Sequence, residues 1–215
     1  MTPESKEHEY FRRAVFVKSV EQISDLPADE GVEVAFVGRS NVGKSSVLNA
    51  LCDQQGLART SRTPGRTQHL VVFDLTPGRR LIDLPGFGYA AVNKSLRAHW
   101  EKTLPLYLER RTSLTGLVLI ADARHPLKAE ELALIDWTAT AGVALTLLLN
   151  KADKLGRQAV FAALRAAREQ LRERGADPAG VHPFSATGRE GVPLLRAIVD
   201  GWFKDALKKR SGLAE

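Results

Sequence analysis

The chain has 215 residues, 44% of them hydrophobic and 26% charged, and its formal net charge is +6. This length fits one α/β domain with a sizeable core and argues against a second full domain. A single cysteine, Cys52, excludes an intrachain disulfide, and no cysteine and histidine set has zinc-ligand spacing. No apolar stretch approaches the roughly 18 residues of a spanning helix. We therefore expect a soluble cytoplasmic protein whose positive charge favours a polyanionic partner.

Apolar runs alternate with helical patterns along the chain, as in βαβ units with a mostly parallel sheet between two helix layers. Six strands are expected, at Val32 to Val37, Leu70 to Leu75, Arg80 to Asp83, Leu117 to Ala121, Val143 to Leu149 and near Val181. The second and third of them form a hairpin, which makes one edge strand antiparallel. Helices are expected at Ser46 to Leu51, Lys94 to Arg110, Ala129 to Ala139, Leu155 to Arg174 and Val192 to Leu207.

The fourth of these helical patterns has an apolar stripe and many arginines. Its arginines, Arg165, Arg168, Arg172 and Arg174, are expected to form a solvated face, with an RNA-binding patch as the alternative.

Residues 38 to 45 match the phosphate-binding pattern G-x-x-x-x-G-K-[ST] directly after an apolar run. Glycines let such a loop curl, so that successive N–H groups point at phosphate oxygens, and the following helix adds its dipole. Lys44 would bind the β and γ phosphates, and the Ser45 hydroxyl would bind Mg²⁺. A chance glycine-rich turn is the alternative. The predicted nucleotide contacts here are Gly38, Arg39, Ser40, Asn41, Val42, Gly43, Lys44, Ser45 and Ser46.

A polar stretch from residue 60 to 68 is predicted to be a loop. A second hydroxyl ligand for Mg²⁺ should come from it, and spacing from Ser45 does not choose among Thr60, Thr63 and Thr67. The arginines of this stretch are expected to be solvated, with phosphate or RNA contacts as the alternative.

Asp83, Leu84, Pro85 and Gly86 have the form D-x-x-G at the end of a strand. Asp83 would hold Mg²⁺ through its water shell, because Mg²⁺ dehydrates reluctantly. The N–H of Gly86 would bind the γ phosphate, since a glycine leaves room for close approach. An ordinary turn is the alternative, but its position after the phosphate-binding pattern favours a nucleotide site.

Residues 150–153 form an N-K-x-D pattern directly after an apolar run. This pattern predicts selection of guanine over adenine. An ionised Asp153 can accept hydrogen bonds from both N1–H and the exocyclic amino group of guanine, whereas adenine has a lone pair at N1. Asn150 would brace the loop, and the stem of Lys151 would lie along the base. A polar surface turn is the alternative. Further along, Phe184, Ser185 and Ala186 would place backbone N–H groups near the guanine carbonyl.

Together these motifs resemble the EngB (YihA/YsxC) type of bacterial ribosome-assembly GTPases, from about Phe16 to Phe203. The most specific strings are T-P-G-R-T-Q at 63–68 and D-L-P-G-F-G-Y-A at 83–90. The resemblance implies a Ras-like, three-layer αβα GTPase domain over 31–207, with an N-terminal extension over 1–30 and a basic tail over 208–215. It implies Thr67 as the Mg²⁺ ligand beside Ser45 and Asp83. It also brings Gly65, Arg66, Gln68 and His69 into the site.

The resemblance further implies a partner, namely the precursor of the large ribosomal subunit with its rRNA and proteins. A monomer needed for normal growth and cell division is expected, with no DNA sequence readout and no membrane contact. An alternative is a nucleotide-gated module that binds RNA or protein with negligible hydrolysis.

The residue that positions the attacking water is not evident. Ras-like enzymes place a glutamine after the D-x-x-G glycine, whereas Phe87 follows Gly86 here. We therefore predict slow unassisted hydrolysis, with Lys44, Asn41, Thr67 and Gly86 as the catalytic residues. The resemblance suggests that Asn41 holds K⁺, which would neutralise charge between the β and γ phosphates. Capping of the tight loop by Asn41 is the alternative.

Overall fold

A seven-stranded sheet forms the centre of the fold in the computed structural model, which describes residues 8–58, 69–87, 103–125, 127–177 and 180–212. The strands are β1 (Val15–Val20), β2 (Val32–Gly38), β3 (Leu70–Thr76), β4 (Arg79–Asp83), β5 (Leu114–Asp122), β6 (Ala144–Asn150) and β7 (Val181–Pro183). Their spatial order is β1-β3-β4-β2-β5-β6-β7. Among these strands β3 is antiparallel to both of its neighbours, β1 and β4, and the other pairs are parallel.

Within these described ranges, five α-helices and three short 3₁₀ helices surround the sheet. The α-helices are α1 (Lys44–Cys52), α2 (residues 103–110), α3 (Ala129–Thr140), α4 (Arg157–Glu173) and α5 (Val192–Arg210). The 3₁₀ helices are Glu9–Arg13, Ile23–Asp25 and Ala152–Lys154. In the part of the chain that the structure describes, no helix is both long and apolar enough to cross a membrane.

Two apolar clusters cover the two faces of the sheet. One contains Tyr107 of α2, Ile135 of α3 and Leu164 of α4. The other contains Leu48 of α1 and Phe203 of α5. The central strand β2 is buried along its whole length, as expected for a strand that helices cover on both faces. The predicted three-layer αβα architecture is therefore confirmed.

The sheet has one strand more than the six predicted. The additional strand, β1, lies within the predicted N-terminal extension and pairs with β3, so β1 rather than β3 is the edge strand. It was missed because its side chains do not follow a core pattern: Val15 and Phe16 are both 58% exposed. A pairing between strands far apart in sequence leaves little trace in local hydrophobicity.

The predicted helix bounds are close to the observed ones where the chain is described. α1 begins at Lys44, two residues before the expected start, and α5 continues to Arg210, three residues into the predicted tail. Residues 94–102 of the second predicted helix lie outside the described residues.

The parallel arrangement gathers the motif-bearing loops at one edge of the sheet. β2, β4 and β6 are parallel and end at Gly38, Asp83 and Asn150. Because carboxyl ends of parallel strands share an edge, the segments that follow these residues meet there. The expected nucleotide site is built on this edge.

Candidate nucleotide site

The phosphate loop runs from Gly38, at the end of β2, to Lys44, at the start of α1. Gly43 adopts a left-handed φ of 95°, and a Cβ atom built on it would lie 2.5 Å from the amide nitrogen of Asn150. A Cβ at Gly38 would lie 2.5 Å from the carbonyl oxygen of Ile120. Both glycines are therefore required by space, and Gly43 also by conformation.

The phosphate loop curls tightly and leads directly into α1. Val42 N–H donates to the carbonyl oxygen of Arg39 at 3.2 Å, which closes a tight turn. The first N–H groups of α1, from Lys44 onward, have no acceptor within the helix and carry its positive dipole end. This arrangement fits an anion the size of a phosphate group.

Lys44 and Asp83 form a buried ion pair across the loop. Lys44 is 8% exposed and Asp83 is 3% exposed, and the Lys44 ammonium donates to the Asp83 carboxylate. Burial raises the pKa of Asp83 above its ordinary value, and the ammonium opposes that rise. The structure thus joins the predicted phosphate-binding cation to the predicted Mg²⁺-binding carboxylate.

The segment after Asp83 lies directly against the phosphate loop. Ser40 N–H donates to the carbonyl oxygen of Phe87 at 2.9 Å, and Phe87 N–H donates to that of Gly38 at 3.3 Å. A Cβ at Gly86 would lie 3.2 Å from the Ser40 hydroxyl oxygen, so the approach is close. The Phe87 side chain is half-buried against the core. It packs there as an apolar group and offers no hydrogen bond to a water molecule.

Asn150 links the phosphate loop to the loop after β7. Its side-chain amide donates to the carbonyl oxygen of Val42 at 2.7 Å, and its side-chain oxygen accepts from Ala186 N–H at 3.2 Å. Asn150 is only 2% exposed. Phe184 is also buried, and its carbonyl oxygen accepts from Ala152 N–H at 3.1 Å. These contacts fix the spacing between the two loops.

Lys151 directly follows β6 and has a left-handed φ of 65°. Its side chain reaches from there to the phosphate loop. Its ammonium lies 2.7 Å from the carbonyl oxygen of Asn41 and 2.9 Å from the carboxylate of Asp122. Burial raises the pKa of Asp122, but hydrogen bonds from Arg124 and Lys151 outweigh it and hold that pKa well below its ordinary value. The ionised Asp122 therefore fixes the direction of the Lys151 stem.

Asp153 is held by the loop after β7. The Ser185 hydroxyl donates to its carboxylate at 2.6 Å and accepts from Gly188 N–H at 2.9 Å. Hydrogen bonds from Ser185 and Lys154 lower the pKa of Asp153, so its carboxylate is ionised at neutral pH. An ionised, oriented carboxylate is what recognition of two guanine N–H donors requires.

Asp122 was not among the predicted site residues. This residue ends β5 beside Lys151, and with the phosphate loop it borders a cavity of about 380 Å³. One signal could have found it, because an acidic residue follows the predicted strand Leu117 to Ala121. β5 lies between β2 and β6, and both of these parallel strands carry a motif at their carboxyl end. The residue that ends β5 therefore lies at the same edge of the sheet.

Part of the predicted site falls on residues that the structure does not describe. Gly65, Arg66, Thr67 and Gln68, together with the alternatives Thr60 and Thr63, lie outside the described residues. His69 is described, and its imidazole lies 3.6 Å from the carboxylate of Glu21. Glu21 directly follows β1, so this contact lies beside the end of the edge strand.

The donor set fits a nucleotide-bound Mg²⁺ rather than a protein cage. Among the described residues, no group of three or more His, Cys, Asp or Glu side chains could hold a metal ion. Mg²⁺ in nucleotide sites is usually bound by few protein groups together with phosphates and water. The Ser45 hydroxyl in the first turn of α1 and the Asp83 carboxylate are groups of the right chemistry.

Comparison with known proteins identifies the family of the chain. Residues 33–151 match the family described as 50S ribosome-binding GTPase. Proteins named probable GTP-binding protein EngB from Escherichia coli K12 and Shigella boydii serotype 18 are 46% identical to the chain over 195 residues. The match covers 91% of this chain and 92% of each relative.

Solved structures support the fold. A crystal structure of a probable GTP-binding protein EngB matches with a TM-score of 0.66 and 19% identity, over 81% of this chain and all of that one. Era in complex with MgGDPNP and nucleotides of 16S ribosomal RNA matches with a TM-score of 0.58 and 22% identity, over 80% of this chain and 56% of that one. The chain therefore belongs to the EngB family of GTP-binding proteins and is a GTP-hydrolysing enzyme.

Proposed function

We propose that this GTPase is a nucleotide-operated switch in assembly of the large ribosomal subunit in the cytoplasm. It binds the subunit precursor in its GTP-bound form and leaves after hydrolysis. The observation that carries this proposal is the direct pairing of the segment after Asp83 with the phosphate loop, through Ser40 N–H and the Phe87 carbonyl oxygen. Gly86, whose N–H is predicted to bind the γ phosphate, belongs to this segment, so loss of that phosphate would be felt by the segment and by the loop paired with it. The description of the matched family supports the ribosomal partner.

In the proposed site, Lys44 and the amides of the phosphate loop bind the β and γ phosphates. Asp153 binds the guanine edge, while Ser45, Thr67 and Asp83 hold Mg²⁺. The buried pairing of Lys44 with Asp83 supports this assignment, because each charge is already directed into the site. The crystal structure of Era, which has the same fold and binds MgGDPNP, also supports Mg²⁺.

We further propose that the Asn41 side chain holds K⁺, an ion that would neutralise charge between the β and γ phosphates. Asn41 is exposed with a left-handed φ of 67°, and within the described residues its side chain makes no hydrogen bond. That observation goes against the loop-capping alternative. Turnover should be faster in KCl than in NaCl at equal ionic strength, and Asn41→Ala should abolish the difference. Equal rates in the two salts would remove K⁺ from the mechanism.

Hydrolysis by the protein alone should be slow. The half-buried Phe87 ring supports this proposal, since no side chain directly after Gly86 can hold the attacking water. We expect a rate within an order of magnitude or two of the ~10⁻⁴ s⁻¹ of intrinsic Ras, rising when a ribosomal particle docks. Phosphate release measured with and without large-subunit particles tests this. Fast release by the protein alone would contradict it.

The switch itself is tested by co-sedimentation with purified large-subunit precursors under three conditions: GDP, a non-hydrolysable GTP analogue, and no nucleotide. The analogue should increase retention on the particles at least tenfold over GDP. Small-subunit particles serve as the control partner, and Asp153→Asn serves as the control variant, which should need a much higher concentration of the analogue for the same retention. Equal retention in all three conditions would rule out a GTP-operated switch.

A further inference from the structure

One side of α4 carries a continuous strip of arginine and aromatic side chains. Arg157, Phe161, Arg165, Arg168 and Arg172 follow one another at spacings of four, four, three and four residues. These spacings place all five on one strip of the helix surface. At about 1.5 Å per residue, the strip, here called the α4 ridge, is about 22 Å long.

The exposed side chain of Phe161 is not part of the core packing of α4. Its side chain is 59% exposed, whereas the buried residues of α4 are Leu164, Ala167 and Leu171. The Arg157 guanidinium carbon lies 5.7 Å from the Phe161 ring centroid, a cation–π distance. The helix thus presents an aromatic face to solvent with a cation beside it.

The ridge arginines are not held in ion pairs with any residue that the structure describes. Within the described part of the chain, Arg157, Arg165 and Arg172 form no ion pair, and Arg168 donates to the carbonyl oxygen of Val181 at 3.2 Å. Arg174 differs, because it binds both carboxylate oxygens of Asp136, at 2.7 and 3.0 Å. The structure therefore removes Arg174 from the arginine face that the sequence suggested.

A shallow groove of about 530 Å³ runs along the ridge. It is bordered by Phe161, three of the ridge arginines and a single carboxylate, Glu169. Three guanidinium groups against one carboxylate give this groove a net positive charge. Such a surface is complementary to a polyanion that also offers flat, stackable groups.

We infer that the α4 ridge is an RNA-docking surface, with its arginines on backbone phosphates and Phe161 stacked on an unpaired base. Guanidinium groups bind phosphate oxygens in a bidentate manner, and aromatic side chains stack on splayed bases of single-stranded RNA. This inference deepens the proposed function, on which it rests, since it names the chemistry by which a ribosomal precursor is held. Within the described residues no contact links the ridge to Lys44 or Asp83, so binding of isolated RNA through it is independent of the bound nucleotide.

The test uses the full chain and two probes, protein-free large-subunit rRNA and a short RNA duplex. The variant Arg165→Gln/Arg172→Gln should lower affinity for both probes at least tenfold. Losing two phosphate contacts should also reduce the slope of log K against log salt by about 1.4–1.8, measured over about 50–200 mM KCl. Phe161→Leu should weaken binding to the rRNA but leave duplex binding unchanged, because a duplex offers no splayed base.

The matched control is Arg174→Gln, which removes one arginine from the same side of the sheet but one that Asp136 already neutralises. It should leave affinity and salt slope at the wild-type values. GTP hydrolysis and GDP affinity should be unchanged in every variant, and thermal unfolding should be unchanged in the two ridge variants, since all three substituted ridge positions are exposed and lie outside the nucleotide site. Unchanged unfolding shows that lost binding does not come from a lost fold.

Two results would overturn the inference. One is a double variant that binds both RNA probes as well as the wild type. The other is a wild type that binds no RNA but loses large-subunit particles when the ridge is neutralised, which would assign the ridge to an acidic ribosomal protein. A different result would contradict the proposed function, namely a wild type that binds no precursor particle with any nucleotide. The isolated RNA probes would still test the role of the ridge in that case.

Discussion

The nucleotide site has two ends that are held in different ways. The base end is the end of β6 with the segment after it, and the phosphate end is the phosphate loop with the segment after β4. At the base end, hydrogen bonds of 2.6–3.2 Å connect Asn150, Lys151 and Asp153 to neighbouring loops. At the phosphate end, the principal contact is the buried ion pair of Lys44 and Asp83. The base end thus presents an ionised carboxylate, Asp153, whose direction is set before any ligand binds. At the phosphate end, each charge must be shared with the incoming ligand.

The two ends therefore contribute differently to nucleotide binding. A preformed carboxylate favours one base over another, because no reorganisation offsets the gain on binding. The ion pair instead lets Lys44 and Asp83 compensate each other's charge in the nucleotide-free protein, since an unpaired buried charge is costly. We expect base-end substitutions to change selectivity and phosphate-end substitutions to change the stability of the nucleotide-free protein.

Asp153→Asn should produce the largest change. The amide cannot accept both guanine N–H donors through charge-assisted bonds, so GDP affinity should fall by at least about 10²-fold. Fluorescence titration with a labelled GDP measures this. Ser185→Ala is the control: it removes only the hydroxyl that orients Asp153, and its loss should stay within about tenfold. A GDP affinity for Asp153→Asn close to that of the wild type would argue against the role of the carboxylate.

Lys44→Ala should strongly destabilise the nucleotide-free protein. The substitution leaves the Asp83 carboxylate buried without its counter-ion, which costs about 3–5 kcal/mol of unfolding free energy. Urea unfolding at neutral pH measures the loss. The double variant Lys44→Ala/Asp83→Asn should recover most of it, because no charge is then left unpaired. A loss below about 1 kcal/mol in the single variant would mean that the pair is not buried in solution.

Asn150→Ala should have a smaller effect on both ends at once. It removes the bonds to the Val42 carbonyl oxygen and the Ala186 N–H, for a loss of about 1–3 kcal/mol in unfolding free energy. GDP should also dissociate faster, because the two loops are no longer held at a fixed spacing. Asn150→Asp is the more demanding variant, since its carboxylate would face the Val42 carbonyl oxygen without a donor. If Asn150→Asp is as stable as the wild type, the link is not the one described.

The smallest effect concerns His182 of β7, next to the base end. Burial lowers the pKa of His182, and the Arg168 cation lowers it further. Because the unfolded chain binds this proton more readily, the stabilising contribution is complete above the unfolded pKa of about 6.5 and is lost as pH falls below it. His182→Gln should flatten the dependence of the unfolding free energy on pH between about 7 and 5. An identical pH profile for wild type and variant would exclude the shift.

The motif residues were predictable because their spacing encodes chemistry locally. Gly43, Lys44 and Ser45 stand together in one short pattern, and the helix they begin is where the pattern requires it. The contacts that complete the site were not predictable in the same way. Asp122 reaches Lys151 and Asn150 reaches Val42 only because parallel strands bring distant segments to one edge.

The edge strand β1 and the ion pair of Arg174 were not predicted from the sequence. β1 pairs at the edge of the sheet and leaves Phe16 exposed, so its hydrophobicity does not mark a core face. Four arginines in and just after α4 looked alike in the sequence, yet Asp136 neutralises Arg174. Ion pairing between elements is set by tertiary packing, which a helical spacing pattern does not contain.

Titration calorimetry with three diphosphates tests whether an oriented Asp153 selects guanine while the phosphate loop binds whatever tail is attached. GDP should bind most tightly, IDP more weakly because it lacks the exocyclic amino group, and ADP at least about 10³-fold more weakly than GDP. The order should persist whether or not Mg²⁺ is present. Equal affinities for GDP and ADP would show that Asp153 does not select the base.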